Sequence, residues 1–547
     1  MHILVDGVRF TKTLRVVVRF IVTVASMLSS SPRLTSRFAN SLPAMCAPWS
    51  PVPFSDANLL LLNEPLSREL GIDPGWLRTE NGLRFLLGEE LPEDAFPVSQ
   101  AYAGHQFGQF NPLLGDGRAA LLGELEVTSE GSPETAAPRD IHLKGSGRTP
   151  YSRGGSDGRA AAGPMLREFL ISEAMHAMGI PTTRALAVIL TGESVQRNVP
   201  EPGAVLVRVA SSHLRVGSFQ YARMMQQRSP ELLEELADFA LERHHATDSD
   251  TPLDDSDYLG LLREVCAKQA RLVARWMHVG FVHGVMNTDN ITISGETIDY
   301  GPCAFLDSFN PHTWFSSIDQ QGRYAFGRQP AIMLWDLERL AESLLPVIEE
   351  QLDTDTEGAV AAATEVLQEF PSMYRNAFTR TMLPALGFTT AGSDSPSSEQ
   401  RALCDEFVEW LNGAQPDQLS VLRSLATLAE STNLTVSASA SGDEEASALP
   451  PAEWLHRWHE LNPDAALMRH TNPVRIPRNH LVEEALQAAS HGDFEAFQEL
   501  LAAVTDPFDS TGSEESGVEK KNNRVHDEKF AHPAPEGFGP YTTFCGT

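Results

Sequence analysis

The feature that most constrains this chain of 547 residues is a short polar loop at the end of a long helical pattern. The loop is His283-Gly-Val-Met-Asn-Thr-Asp-Asn290, and the triplet Asp299-Tyr-Gly301 follows it. Carboxylate and amide oxygens this close together are the ligands that a hard divalent cation takes. The same residue types are also typical of turns, because Gly, Asn and Asp tolerate turn geometry. The loop alone supports a catalytic site and a structural turn equally well.

The spacing of the loop resembles that of a protein kinase. A kinase catalytic loop has His-Arg-Asp, four further residues and an Asn, and a later Asp-Phe-Gly binds metal. Here His283 and Asn290 keep the outer spacing, and Asp299 begins the later triplet. Val285 stands where the catalytic acid would be, whereas Asp289 lies beside the Asn. We therefore expect a kinase-like site whose base has moved.

The segment Ile291–Ile298 predicts a small hairpin that turns at Gly295. A hairpin brings its two ends together. Asn290 and Asp299 stand at those ends, so we expect them to share one divalent cation, Mg²⁺ or Mn²⁺.

A glycine-rich turn upstream is a candidate for nucleotide contact. Gly115, Gly117 and Arg118 precede a strand-like run over residues 119–127. Glycine lets the backbone approach a phosphate closely, which is how loops that cover nucleotides are built. Taken in isolation, one Gly-x-Gly is better explained as a plain hairpin turn.

A strand lysine and a helix glutamate form the next candidate pair. Residues 140–145 alternate apolar and polar side chains, which predicts a strand that carries Lys144. A helix is predicted from Pro164 to Met178, with Glu168 near its start and Gly179 just past its end. Kinases hold such a lysine on the nucleotide phosphates with such a glutamate. Two unrelated surface charges are the alternative.

The charge balance makes the local clusters of arginine informative. The chain has 42 basic and 73 acidic residues, a formal net charge of −31. So acidic a surface argues against nucleic acid or an anionic membrane as a partner. The loop of residues 146–159 nevertheless contains three arginines, and Arg208 and Arg215 lie in an acid-free stretch. This composition is typical of phosphate binding.

The first 37 residues are basic and are set apart from the fold. Their apolar centre, residues 16–25, is interrupted by Arg19 and is too short to span a membrane. A mitochondrial transit peptide explains the segment, and so does a start assigned too early, with Met27 as the true start. Five scattered cysteines without a Cys-x-x-Cys pair indicate a reducing compartment, so we otherwise expect a cytoplasmic protein.

Together these strings resemble the selenoprotein O family, an atypical kinase-fold family of protein adenylyltransferases. The resemblance covers about residues 40–547. It rests on the strings Tyr102-Ala-Gly-His-Gln-Phe-Gly108, Gly115-Asp-Gly-Arg118, Leu143-Lys-Gly-Ser-Gly-Arg-Thr-Pro-Tyr-Ser-Arg153, Asp157-Gly-Arg159, Arg167-Glu-Phe-Leu170, Gly179-Ile-Pro-Thr-Thr-Arg184, His283-Gly-Val-Met-Asn-Thr-Asp-Asn290 and Asp299-Tyr-Gly-Pro302.

The resemblance implies transfer of AMP from ATP to Ser, Thr or Tyr hydroxyls of target proteins, with ATP bound the opposite way round from kinases. The implied nucleotide contacts are Gly115, Gly117, Arg118, Lys144, Asp157, Gly158, Arg208 and Arg215. It further implies that Glu168 holds the lysine and that Asp289 is the base. Asn290 and Asp299 would bind Mg²⁺ or Mn²⁺. A kinase that transfers the γ-phosphoryl group and a silent, ATP-binding pseudokinase are the rival interpretations.

The expected architecture is α+β, a two-lobed protein-kinase-like fold with an N-terminal extension and an enlarged helical C-lobe. We expect a monomer. The expected divisions are 1–40 (basic extension), 41–210 (N-terminal region and kinase-like N-lobe), 211–510 (helical C-lobe with the catalytic loop) and 511–547 (polar tail with Cys545). Helical segments are also predicted over residues 56–70, 332–345, 357–370, 399–411, 454–461 and 481–501.

Redox control is the prediction that the resemblance adds for the tail. Family members often end in a Cys or selenocysteine that bonds to a second cysteine after the Asp-Tyr-Gly. Cys545 supplies the first, but Phe315 stands where the second is expected, and Cys303 is the alternative. We expect oxidation to lower activity and Cys545→Ser to remove that sensitivity, measured as activity with oxidant and with reductant. An unchanged sensitivity in the variant would contradict the pairing.

Overall fold

The computed structural model describes residues 32–127, 137–197, 199–244, 257–389, 396–431, 449–508 and 529–544. Cys545, the basic segment before residue 32 and the polar stretch at 432–448 therefore lie outside the described residues. Within the described ranges, no helix is both long enough and apolar enough to cross a membrane.

In the described ranges, the strands build one large antiparallel sheet and two small ones. Their bounds are β1 (Leu34–Thr35), β2 (Cys46–Pro48), β3 (Asn58–Leu62), β4 (Val98–Gln100), β5 (Gly104–Gln106), β6 (Gln109–Asn111), β7 (Ala119–Leu125), β8 (Arg139–Lys144), β9 (Ala160–Ala161), β10 (Arg184–Gln196), β11 (Pro200–Ala210), β12 (Phe281–Val282) and β13 (Ala304–Phe305). The large sheet has the order β2-β4-β7-β8-β11-β10-β3, with β1 on β7 and β9 on β11. The hairpins β5–β6 and β12–β13 stand apart from it.

The helices precede the sheet, interrupt it and then dominate the second half of the chain. Their bounds are α1 (Arg37–Ser41), α2 (Glu64–Glu69), α3 (Pro74–Leu77), α4 (Glu80–Leu86), α5 (Ala162–Ala177), α6 (Val216–Met225), α7 (Leu232–His244), α8 (Tyr258–Val279), α9 (Gln329–Gln351), α10 (Thr356–Ala385), α11 (Ser398–Ala414), α12 (Gln418–Ala429), α13 (Ala452–Glu460), α14 (Ala465–Thr471), α15 (Asn479–Ser490) and α16 (Glu495–Val504). The predicted mixed α+β class is confirmed. The kinase-like lobes and the domain boundaries stay predictions.

Alternation along β8 gives the sheet two chemically different faces. Ile141 and Leu143 are buried in an apolar cluster with α2, α3 and α4. His142 and Lys144 lie on the opposite face and line a cavity. The antiparallel register with β11 sets Arg208 directly opposite His142. The strand that the alternation predicted therefore exists, and it carries its lysine on the polar face.

Helix α5 packs across the polar face of the sheet and confirms the helix predicted from residue 164. It begins two residues earlier than predicted and ends before Gly179, whose φ of +73° suits the position after a helix. Leu166, Phe169 and Leu170 join the larger apolar cluster. Because α15 and α16 cover the other side of α5, Glu168 is only 3% exposed and needs a charged partner.

Two sequence-based predictions about local structure are wrong. The first half of the expected helix at 56–70 is strand β3, because its leucine run pairs with β10 at the edge of the sheet. The expected hairpin Ile291–Ile298 contains no paired strands: Thr292 bridges to Arg215 and Thr297 to Thr182. A two-stranded ribbon of this length is not stable alone, so its backbone pairs outward instead. The turn itself is at Gly295, as predicted, with φ of +78°.

The other helical predictions differ mainly in length. Helices α9, α10 and α11 extend beyond the predicted ranges at both ends. The predicted helix over 481–501 is divided into α15 and α16, because Gly492 takes a φ of +86° after α15.

Two buried histidines are expected to make stability depend on pH. Burial lowers the pKa of His213 and of His244 from the ordinary 6.5 to about 3. The unfolded chain therefore takes up a proton on each near its ordinary pKa, and the folded chain does not. The free energy of unfolding therefore keeps its full value above pH 6.5 and decreases as the pH falls towards 3. We expect each histidine to lower the free energy of unfolding by about 1.4 kcal/mol per pH unit in this window, measured by urea denaturation.

The variant His244→Gln provides the check. Glutamine can still donate to or accept from Ser212, whose Oγ lies 2.6 Å from His244 Nε2, but it does not titrate. We expect the slope of stability against pH to decrease by about 1.4 kcal/mol per pH unit. An unchanged slope would show that His244 is already charged in the folded protein.

Candidate active site

A cavity of about 490 Å³ lies between the large sheet and the loop that follows α8. Of the residues predicted to form the site, all except Asp157 and Gly158 line it. The lining members are Gly115, Gly117, Arg118, Lys144, Glu168, Arg208, Arg215, Asp289, Asn290 and Asp299. The fold thus brings residues from β8, β11, α5 and the polar loop to one place.

The glycine-rich turn is packed tightly against the arginine-rich loop. Gly115 has a φ of +62°, and a Cβ there would lie 2.4 Å from the ring of Tyr151. At Gly117 a Cβ would lie 3.1 Å from the Tyr151 carbonyl oxygen. Thr149 Oγ1 also donates to the carbonyl of Asp116 at 2.6 Å. Internal packing therefore requires Gly115, and contact with a nucleotide stays a prediction for both glycines.

Asp157 and Gly158 lie at the edge of the same loop and do not line the cavity. Asp157 is exposed and accepts a hydrogen bond from Arg197 Nη1 at 3.2 Å. Gly158 has a φ of +68°, and a Cβ there would be 2.2 Å from the carbonyl group of Gly147. Gly158 is thus required by the backbone of the loop. A nucleotide contact through either residue stays a prediction.

Four charged side chains form a compact cluster at the inner end of the cavity. Lys144 Nζ donates to Glu168 Oε2 at 2.6 Å and to Asp299 Oδ1 at 2.5 Å. Arg208 Nε donates to Glu168 Oε1 at 2.9 Å, and its Nη2 donates to Asp299 Oδ1 at 2.8 Å. The predicted pairing of Lys144 with Glu168 is therefore present in the structure. Each carboxylate is shared between the same two cations.

The cluster holds Asp299 in its charged form. Burial alone would raise the pKa of this carboxyl, but the positive charges of Lys144 and Arg208 outweigh burial and hold the pKa well below its usual range. The residue also has a φ of +63°, a left-handed conformation that is costly for a side chain other than glycine and that recurs at functional sites. Both features favour a carboxylate fixed in one orientation towards the cavity.

Asp289 lies in a different environment. It sits in the short 3₁₀ turn Thr288–Asn290 and is 8% exposed. Burial raises the pKa of its carboxyl to about 6, against the opposing effect of Arg215. The Arg215 guanidinium donates to the backbone carbonyl of Asp289 at 3.1 Å, so this arginine holds the turn rather than pairing with the carboxylate. A carboxyl of this kind is suited to accept a proton near neutral pH.

The predicted metal ligands Asn290 and Asp299 offer the oxygen donors that a divalent cation takes. Asn290 Nδ2 donates to the carbonyl of Val285 at 3.0 Å, which leaves the amide oxygen as the ligand atom. Among the described residues, no group of three or more His, Cys, Asp or Glu side chains is placed to hold a metal. Mg²⁺ commonly uses one or two protein oxygens together with phosphate and water oxygens. The donor set therefore suits Mg²⁺ or Mn²⁺.

Several lining residues received no role from the sequence. Tyr102 packs its ring 4.3 Å from the guanidinium of Arg215, a cation–π contact. His142 lies behind Lys144 with its Nε2 3.2 Å from a carboxylate oxygen of Asp116. Gln106 contacts Asp289. Tyr102 and Gln106 belong to a string of the family resemblance and His142 does not, but only the folded chain shows what each side chain touches.

The cysteines occupy positions that bear on the redox prediction. Cys303 is fully buried, donates from Sγ to the carbonyl of Tyr300 at 3.2 Å, and has a pKa raised by burial to about 11. Phe315 lies beside the C-terminal tail, and its carbonyl accepts from the backbone N–H of Thr543 at 2.8 Å. The tail therefore reaches the segment where a second cysteine was expected. Pairing of Cys545 stays a prediction.

Comparison with known proteins identifies relatives along almost the whole chain. A model of the family described as protein adenylyltransferase SelO matches residues 31–505. The protein nucleotidyltransferase YdiU of Pseudarthrobacter chlorophenolicus is 50% identical over 519 residues, which cover 95% of this chain and 99% of that protein. The protein of the same description from Mycolicibacterium smegmatis is 49% identical over 94% of this chain and 98% of its own. The protein of the same description from Cereibacter sphaeroides is 46% identical over 94% of this chain and 99% of its own length.

The charge cluster predicts a strong effect of removing Glu168. In Glu168→Ala, Lys144 and Arg208 keep their positive charges in a buried site with one carboxylate fewer. We expect the free energy of unfolding to fall by about 3–5 kcal/mol, measured by urea denaturation. Nucleotide binding, measured by calorimetry, should weaken because Lys144 is no longer held in place.

Glu173→Ala is the matched control. Glu173 is on the same helix, is buried, and accepts from Arg184 Nη2 at 2.7 Å, but it does not line the cavity. We expect a comparable loss of stability with nucleotide affinity unchanged. If both variants lose nucleotide affinity equally, the effect of Glu168 is general destabilisation and not support of Lys144.

Proposed function

The chain belongs to the family of the protein adenylyltransferase SelO, and we propose that its cavity transfers AMP from ATP to hydroxyl groups of target proteins. Membership makes the chain a protein nucleotidyltransferase. The observation that carries the assignment of the site is that Lys144, Arg208 and Arg215 line the same cavity as Asp289 and Asp299. ATP and proteins with Ser, Thr or Tyr hydroxyls are the proposed substrates, and pyrophosphate is the second product.

Three of the cations that line the cavity, Lys144, Arg208 and Arg215, account for binding of a triphosphate. In a chain with a net charge of −31, a polyanion needs a local positive site. Arginine remains charged even when it is buried, so Arg208 and Arg215 supply permanent charge at the inner end. We propose that the γ-phosphate meets these two arginines and that Lys144 reaches the phosphates nearer the nucleoside. ATP then lies the opposite way round from kinases, with its α-phosphorus towards the loop of residues 283–290.

Asp289 is proposed as the general base. Its carboxylate accepts the proton of the target hydroxyl as the oxygen attacks the α-phosphorus and the bond to pyrophosphate breaks. A pKa of about 6 leaves most of the carboxyl ionised at neutral pH and still basic enough to take the proton. Asn290 and Asp299 would hold Mg²⁺ or Mn²⁺, which neutralises charge on the phosphates. The shared cations of the cluster keep Asp299 ionised for this task.

A kinase-like arrangement is the proposed frame for the site. The support is the ion pair between a strand lysine and a helix glutamate, together with the Asp-Tyr-Gly triplet on the opposite side of the cavity. The residues before 211 supply the sheet and α5, and the residues after it supply the polar loop. We further propose a monomeric, cytoplasmic protein, in keeping with the free cysteines Cys46, Cys266, Cys303 and Cys404.

Isotope placement tests the reaction. Incubation of the full chain with Mg²⁺, a hydroxyl-bearing acceptor protein such as casein, and ATP labelled at the α- or the γ-phosphorus should give labelled protein only with the α label. AMP transfer keeps the α-phosphorus, whereas phosphoryl transfer keeps the γ-phosphorus. Protein labelled from the γ position alone would establish a kinase. No protein labelling with either isotope, despite ATP binding, would favour a silent pseudokinase.

The variant Asp289→Asn tests the base. The amide is isosteric but cannot accept the proton, so we expect kcat for AMP transfer to fall by about 10²–10⁴-fold with ATP affinity within a factor of about two. Asp464→Asn is the control, because Asp464 is an exposed cap at the start of α14 far from the lining residues. Full activity in Asp289→Asn would remove this residue from the base role.

A further inference from the structure

Strand β5 covers both carboxylate oxygens of the proposed base. Gly104 and Gln106 are alternate residues of this strand, so they face the same side. A Cβ on Gly104 would lie 2.9 Å from Asp289 Oδ1, which means that the strand backbone closes off this oxygen. Gln106 Nε2 donates to Asp289 Oδ2 at 3.3 Å. Glycine at one position permits the close approach to Oδ1, and the amide at the other position is hydrogen-bonded to Oδ2.

The strand is fixed on both sides of Gln106. The backbone N–H of His105 donates to Thr288 Oγ1 at 2.7 Å, and that of Phe107 donates to Asn287 Oδ1 at 3.1 Å. These bonds tie β5 to the same loop that carries the base. The backbone of β5 therefore keeps its position relative to Asp289, and the side chain of Gln106 is the part that is able to move.

Gln106 is also held from the cavity side. Its carbonyl oxygen Oε1 accepts from Arg153 Nη2 at 3.2 Å, and both side chains line the cavity. Arg153 itself is exposed and belongs to the arginine-rich loop. One amide thus connects the arginine-rich loop with the carboxylate of Asp289. Removal of either contact leaves the amide free to turn away from Asp289.

Adenylyl transfer has a competing reaction that this arrangement opposes. Water can replace the target hydroxyl: its oxygen bonds to the α-phosphorus of ATP, the bond to pyrophosphate breaks, and Asp289 takes the water proton. The products are AMP and pyrophosphate, and the nucleotide is wasted. An uncovered Asp289 would activate water as readily as a target hydroxyl, because both carry a proton on oxygen.

We infer that Gln106 is a positioning residue that keeps water from Asp289 until the hydroxyl of a target protein displaces its amide. This inference rests on the proposed function, because it assigns Asp289 the role of base. A Ser, Thr or Tyr side chain brought by a bound protein can replace the amide of Gln106, since it offers its own O–H to Oδ2. A single water molecule has no such binding energy to displace a side chain that is held at both ends.

The variant Gln106→Ala tests the inference without knowledge of the natural target. The full chain is incubated with Mg²⁺ and α-labelled ATP, first without acceptor to measure free AMP, then with casein to measure AMP on protein. We expect the ratio of hydrolysis to transfer to rise by about tenfold, the equivalent of one hydrogen bond of about 1.4 kcal/mol. A merely structural role would lower both rates together and leave the ratio unchanged, which would overturn the inference.

Gln109→Ala is the matched control, because Gln109 is the exposed register partner of Gln106 on the same hairpin. The ratio should stay at the wild-type value in this variant. Gln106→Met keeps the bulk but cannot donate to the carboxylate, and it carries the test if the alanine variant does not fold. We expect its ratio to rise as well. A wild-type ratio in Gln106→Met would overturn the inference.

A second pair of variants tests the contact between Arg153 and Gln106. Arg153→Ala should raise the ratio in the same direction as Gln106→Ala, whereas Arg148→Ala should not, since Arg148 is exposed on the same loop and does not contact Gln106. Equal ratios in the two arginine variants would overturn the role of Arg153. If the wild-type chain transfers no AMP to protein at all, the proposed function itself fails, and this outcome is distinct from an unchanged ratio.

Discussion

The site depends on one set of buried charges, in which Lys144 and Arg208 share the carboxylates of Glu168 and Asp299. Each of these groups comes from a different element, and charges removed from water are tolerated only when they are paired and hydrogen-bonded. Misplacement of β8, α5, β11 or the segment before Asp299 would leave a charge without its partner. The cluster therefore joins the sheet to the polar loop, and it does so at the inner end of the cavity where a polyanion needs positive charge.

The two aspartates of the cavity show how environment separates their chemistry. Asp299 lies within the cluster, and the cations outweigh burial, so its pKa is held well below the usual range. Asp289 is buried, the amide of Gln106 donates to its Oδ2, and burial raises the pKa of its carboxyl to about 6. Opposite shifts of neighbouring carboxyls are how one site provides a permanently charged ligand and a proton acceptor. The position of a group relative to fixed cations decides which task it performs.

The similarity to known proteins and the geometry of the cavity answer different questions about this protein. Relatives of about 50% identity along nearly the full chain establish the family and the kind of enzyme. The contacts inside the cavity supply what family membership does not state: which side chain holds which, and which atoms are left for substrates. The covering of Asp289 by β5 is a property of this second kind, because it concerns how a transferase avoids water and not which group it transfers.

Local patterns of residues were sufficient to predict the elements that depend on neighbouring positions. Alternation predicted the strand that carries Lys144, and Gly179 predicted the end of α5. The local motifs and the family resemblance likewise predicted ten of the residues that line the cavity, together with Asp157 and Gly158, which do not line it. The packing of distant segments places Asp157 and Gly158 off the cavity and pairs Thr292 and Thr297 outward. It also brings Gln106 onto a carboxylate 183 positions away. The periodicity of apolar residues predicts which face of a helix or strand is buried. Contacts between distant segments depend instead on how the whole chain packs.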